Sequence, residues 1–315
     1  MPKLLSLRDL CVAYCMNNID SLLALDPLKE ALDENNEEAV LCLQCELPAD
    51  ICDNLLDFHF RSLGHVKNHF LQLFKDNHRT SLSRISLRRM KGQNIEPWML
   101  EIFCHHPLTV LEIPIPHGRS AEDSQAFTFQ NLFEPLQNVK STLKVLALHI
   151  DYSKDNRRNI MDEWIYRCIL SDEEQYDGLD PTLDFPNLFS LTLKNFYFNI
   201  VDPEFSELFA NARPFNTESE DEKAVQMQRF FEKVKIFRNV AHLDLTGCYL
   251  QNDCYFFLER CLKLTSLILT DIHDGLMNEH DTMDEGFMTM MQSVVKIKTL
   301  RYNHICSCRI NFDVF

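Results

Sequence analysis

The stretch "VAHLDLTGCYL", residues 240–250, decides how this chain is read. Val240, Leu243, Leu245 and Leu250 stand at its first, fourth, sixth and eleventh positions, with Cys248 at the ninth. Leu243 and Leu245 are two apart, the period of a β-strand, so both side chains lie on one face. His242, Asp244 and Thr246 alternate with them and take the opposite face. The stretch therefore reads as a short strand with an apolar inner side and a polar outer side.

Its first half, L-x-x-L-x-L with Ile, Val or Tyr allowed, recurs seven times. The copies are "LSRISL" at 82, "LTVLEI" at 108, "LKVLAL" at 143, "LFSLTL" at 188, "VAHLDL" at 240, "LTSLIL" at 264 and "IKTLRY" at 297. The copy at 240 completes the leucine-rich-repeat signature L-x-x-L-x-L-x-x-[NC]-x-L. A single such unit cannot bury its apolar face, whereas stacked neighbours can, with a helix or loop of each unit covering the shared core. The pattern predicts an α/β chain whose parallel strands lie near 84–88, 110–113, 145–149, 190–194, 242–246, 266–270 and 299–302. Successive copies start 24 to 52 residues apart, against about 20–29 in regular repeats. The expected solenoid is thus irregular, with insertions near 151–186 and 199–238. "NTESEDEK" (216–223) reads as a mobile acidic loop within the second. Strand positions between the inner leucines face outward. The candidate substrate contacts among them are Arg84, Arg88, Glu112, His149, Lys194, His242, Asp244 and Arg301, beside Ser86, Thr192, Thr246 and Asn303.

Composition narrows the function. The chain of 315 residues is 45% hydrophobic and carries a net charge of −16. A nucleic-acid binder needs a basic field, and an anionic membrane surface would repel this chain, so neither is expected as a partner. No uncharged apolar run approaches the roughly 20 residues that span a bilayer. "MPKLLSLRDLC" places an Arg-Asp pair where a signal peptide would stay apolar, which points to a cytoplasmic or nuclear protein. Twelve cysteines in such a chain read as reduced thiols used as small hydrophobes. Only seven glycines are present, and neither G-x-G-x-x-G nor G-x-x-x-x-G-K-[ST] occurs, which argues against nucleotide-binding enzymes.

Residues 1–78 read as a separate helical region ahead of a repeat domain at 79–315. In "SLRDLCVAYC" (6–15), Leu7, Leu10, Cys11, Tyr14 and Cys15 share one helical face, and Ser6 with Asp9 forms a capping box. In "LPADICDNLLDF" (47–58), Pro48 suits a first helical turn, and Ile51, Leu55 and Leu56 recur on one face. "SLGHVKNHFLQLF" (62–74) reads as a third helix.

Ser6, Leu7 and Cys11 resemble an elongin C-binding box. Leu47, Pro48, Ile51 and Leu55 resemble a cullin-2 box, and "IFCHHPLTVLEI" (102–113) is similar to the helix-to-strand junction of the Zyg-eleven/Zer-one family. That family joins such a box to leucine-rich repeats, and its members are substrate receptors of cullin-2 RING ubiquitin ligases. The resemblance covers roughly residues 6–113. It implies elongin C, with elongin B, bound through Leu7, Leu10, Cys11, Tyr14 and Cys15, and cullin-2 bound through Leu47, Pro48, Ile51 and Leu55. Cys15 replaces the box's final aliphatic residue. The family's C-terminal armadillo domain, which reads N-terminal glycine degrons, has no counterpart before Phe315, so that specificity is not carried over.

Rival readings stay open. "LPADICDNLL" also resembles the start of an F-box, which would recruit a Skp-type adaptor and cullin-1. A leucine-rich scaffold with no ligase link is a third possibility. Cys42-x-x-Cys45 lacks the second ligand pair a structural zinc site needs. Cys104, His105 and His106 are adjacent and would diverge on a helix, which suits a helix end better than a nucleophile pair. The expectation is a non-enzymatic substrate receptor with no cofactor or metal, recruiting an unidentified protein substrate.

Overall fold

In the computed structural model the described residues are 10, 12, 14, 23–25, 41–43, 47–63, 68–75, 77–78, 80–88, 95–115, 129–150, 164, 168, 182–198, 220–250, 258, 260–274 and 297–304. The chain is α/β. Seven strands form one parallel sheet: β3 (Arg84–Ser86), β4 (Val110–Ile115), β5 (Val145–Ile150), β6 (Ser190–Lys194), β8 (His242–Asp244), β10 (Ser266–Asp274) and β11 (Thr299–His304). They lie side by side in sequence order, each starting at the residue that the leucine pattern predicts; six end within two residues of the expected place, and β10 runs four residues further. Two further short strands, β7 (Tyr197–Phe198) and β9 (Tyr249–Leu250), pair in parallel with each other, and β9 pairs with the end of β10.

Register explains why the pattern folds this way. Ile85, Leu111, Leu146, Leu191, Leu243, Leu267 and Leu300 are aligned across the sheet as one inward row. Leu82, Leu108, Leu143, Leu188, Val240 and Leu264, each three residues earlier, are also buried. Burying each leucine contributes about 2 kcal/mol, so six complete triplets dominate the stabilisation. Covering helices close the inner side: α3 (Pro97–Cys104), α4 (Phe129–Val139) and α5 (Glu220–Lys233). Trp164, helical and 1% exposed, packs between Phe133 of α4 and Phe230 of α5, with ring centroids 5.4 and 5.3 Å away. The insertion near 151–186 thereby contributes to the core.

The second insertion departs from expectation. Glu220, Asp221 and Glu222 open α5 rather than extending a loop, because carboxylates at a helix N-terminus complement its dipole. Residues 216–219 lie outside the described residues.

The N-terminal region is less uniformly helical than its sequence suggests. β1 (Leu23–Leu25) and β2 (Leu41–Leu43) form an antiparallel pair in which Ala24 faces Cys42. The second expected helix is present as α1 (Ala49–Leu63). α1 runs on through Ser62 and Leu63, and the stretch expected as a third helix holds α2 (Asn68–Leu71) and a 3-10 turn at Gln72–Phe74, with residues 64–67 outside the described residues. Phe70, Leu71, Leu73 and Phe74 are all buried, a density of apolar contacts that a tight turn meets better than a one-sided helix. One buried cluster runs from Val12 through α1 and the sheet to Leu269. Among the described residues no helix is long and apolar enough to cross a membrane.

Candidate functional site

Two surfaces bear on partner binding. The first is the N-terminal helical stretch. Residues 10, 12 and 14 are helical, with Val12 6% exposed and turned into the core. Leu10 is 51% exposed and Tyr14 66% exposed, an i, i+4 pair of large apolar side chains facing solvent. Leu7, Cys11 and Cys15 lie outside the described residues.

Just before α1, Pro48 is exposed and Leu47 is half-buried against the core, as is Ile51 in the first turn of α1. Leu55 corrects the sequence reading: it has no exposed surface and is core, not a partner contact. An amphipathic stripe on one helix can serve either role, and here its inner half packs on the sheet. Phe58, 45% exposed, stands on the outer side of α1 instead.

Sequence reasoning passed over Asp53, which fixes this helix. Its Oδ1 accepts from the backbone N–H groups of Ser83 (2.9 Å) and Arg84 (3.1 Å), and its Oδ2 accepts from Ser83 Oγ at 2.5 Å. Asp53 thus ties α1 to the start of β3, the first strand of the sheet.

The second surface is the outward face of the sheet. Register aligns Ser86, Glu112, Ala147, Thr192, Asp244, Ile268 and Arg301 in one row. His149 and Lys194 are aligned in the next, with Arg88 two residues beyond Ser86 on β3's side. Two ion pairs flank the centre. Arg88 Nη2 lies 2.6 Å from Glu112 Oε1, and Ser86 Oγ donates to Glu112 Oε2 at 2.5 Å. Lys194 Nζ lies 3.5 Å from Asp244 Oδ2, whose Oδ1 accepts from Thr246 N and Oγ1. His149 sits between the pairs. Burial lowers its pKa, Lys194 and Arg88 add to that, and Glu112 and Asp244 oppose it. Arg84, His242 and Arg301 are exposed at the margins. The eight candidate contacts therefore share one face, but Arg88, Glu112, Lys194 and Asp244 are engaged with one another. Phe189, 43% exposed, is a further surface aromatic that the leucine pattern did not flag; its ring meets His242 edge-on at 6.0 Å.

The "FCHH" junction is structural. α3 ends at Cys104, which is 1% exposed, and burial pushes its thiol up to about 12. His106 Nε2 donates to Phe74 O at 2.8 Å, holding the helix end against the 3-10 turn. Cys42 is a strand residue of β2. Among the described residues, no three His, Cys, Asp or Glu side chains are grouped as a metal site requires. No protein-family model matches the chain, and no curated protein matches it.

Proposed function

We propose that this chain is a leucine-rich-repeat substrate receptor that joins an elongin–cullin-2 ubiquitin ligase. The solenoid reading is supported by the register, which stacks equivalent residues of all seven L-x-x-L-x-L copies beside one another. The adaptor reading rests on one observation above others: Leu10 and Tyr14 face solvent while Val12 anchors the same helical stretch to the core. An amphipathic helix that presents exposed apolar side chains is the form in which such an element enters a partner's groove. Pro48 and Ile51 would extend the contact to cullin-2, with Leu55 supporting them from within.

The chain does no chemistry in this account. It raises the effective concentration of a target lysine near the ubiquitin-loaded E2 enzyme. The test is affinity capture of the full chain from cell extract with mass spectrometry of what it holds. Elongins B and C together with cullin-2 support the proposal. A Skp-type adaptor with cullin-1 would assign the F-box reading, and neither would leave a scaffold.

A further inference from the structure

The N-terminal ends of the parallel strands form an edge whose charge opposes that of the whole molecule. Backbone bonds make it continuous. Phe189 N donates to Lys144 O (3.0 Å), and Ala241 N to Phe189 O (2.7 Å). Thr265 N donates to Ala241 O (2.9 Å), and Lys298 N to Thr265 O (2.8 Å). Lys144, Phe189 and Lys298 are exposed on this line, and Lys140, Arg238 and Lys263 are exposed in the turns that lead into it. Among the described residues none of these five cations is in a salt bridge; Lys263 Nζ donates to Asn239 Oδ1 at 2.8 Å. Among the described residues the carboxylates at this edge are the half-buried Asp184 and the exposed Glu232, and Glu232 lies 3.9 Å from Arg260. A chain of net charge −16 has therefore gathered cations that form no salt bridge among the described residues along one edge, around an exposed phenyl ring.

We infer that this edge docks a short acidic segment of a partner protein, extended across the strand ends with an apolar side chain against Phe189. Four strand spacings separate Lys144 from Lys298, about 19 Å, the reach of roughly six extended residues. Screening over about 8 Å at physiological salt limits the attraction to the strip, so a short segment gains it without meeting the acidic remainder. A long polyanion such as a nucleic acid meets both. The inference deepens the receptor reading by naming the substrate chemistry. It is tested on the chain alone, so failure of adaptor binding and failure of this site are separate results.

The experiment is fluorescence polarisation of the full chain with a labelled Asp-Glu-Asp-Phe-Glu-Asp peptide. Controls are the same peptide with lysines for its acids and a long single-stranded oligothymidine. The acidic peptide should bind, and more weakly as salt rises. Lys144→Glu with Lys298→Glu should lower affinity about tenfold or more, since attraction becomes repulsion at two exposed sites that carry no packing role. Phe189→Ser should weaken binding by a factor that salt does not change. Thermal melting of each variant confirms that the fold is retained. Absent binding, equal binding of the lysine peptide, tighter binding of the oligonucleotide or indifference to the double reversal would each overturn the site.

Discussion

Asn195 and Gly247 occupy the same step of two neighbouring turns, two residues past the inner leucines Leu193 and Leu245, and both have positive φ, 64° and 71°. Asn195 N donates to Thr246 O (3.0 Å), and Gly247 N donates to Thr270 O (2.8 Å). Asn195 Nδ2 also reaches back to Ile150 O at 2.8 Å, linking three successive strands. Asparagine tolerates the left-handed region, and glycine is free in it. A Cβ on Gly247 would overlap Asn195 Oδ1. Gly247→Ala should therefore lower unfolding free energy by about 2 kcal/mol or more in urea titration. An unchanged midpoint would refute the shared turn.

Cys248 is fully buried, and its thiol donates to Leu193 O at 2.9 Å, one strand back. It fills the ninth position of the signature in a manner suited to that place: a small side chain satisfying a neighbour's carbonyl. Cys248→Ala leaves that carbonyl unmet and should cost about 1–3 kcal/mol. Burial pushes the thiols of Cys248 and Cys261 well above the ordinary range, and that of Cys104 to about 12. Iodoacetamide at pH 8 should spare all three in the folded chain and label them in denaturant, as read by peptide mass spectrometry.

His106 gives the fold a pH dependence. It is 2% exposed, and burial lowers its pKa from 6.5, with His105 acting the same way and Phe74 O and Asp53 opposing. The unfolded chain then binds the proton more readily than the folded one. Stability is full above about pH 6.5 and falls as pH drops from there towards the folded-state pKa. His149, also lowered, adds to the same slope. Unfolding free energy should be smaller at pH 5.5 than at pH 7.5. His106→Gln, which keeps a donor for Phe74 O, should reduce that difference; an unaltered slope would remove His106 as its source.

Asp53→Ala should loosen α1 from the sheet. It removes an acceptor for two backbone N–H groups and the Ser83 hydroxyl. A loss of about 1–3 kcal/mol is expected, with faster amide exchange at Ser83 and Arg84 as the local sign. Asp53→Asn, which retains one acceptor oxygen, should cost less.

The sheet was legible in the sequence because its inner rows use one residue class at fixed spacing. Ile85, Leu111, Leu146, Leu191, Leu243, Leu267 and Leu300 each mark a strand by themselves. The β1–β2 pair was not legible: three-residue strands such as "LAL" and "LCL" are too short to show a period. α5 was hidden by its acidic opening, which resembles a loop until Phe230 and Phe231 reach the core. Leu55 shows a different limit. Periodicity places it on an apolar stripe but says nothing about which neighbour covers that stripe. The basic edge was missed because its cations lie outside the strands, in turns where no pattern repeats, and only register brings Lys144 and Lys298 into one line.

The central claim is that the N-terminal helical face is an adaptor site. Its most direct measurement is size-exclusion chromatography of the full chain mixed with purified elongin B–C, compared with the Leu10→Asp, Tyr14→Asp variant. Both side chains are more than half exposed, and thermal melting of the variant checks that the fold is retained. Each lost anchor at an interface centre costs about 2 kcal/mol or more, and a charge placed there adds to it. The account predicts co-elution of the unmodified chain with elongin B–C and separate peaks for the variant. Separate peaks for both, or co-elution of both, would contradict it.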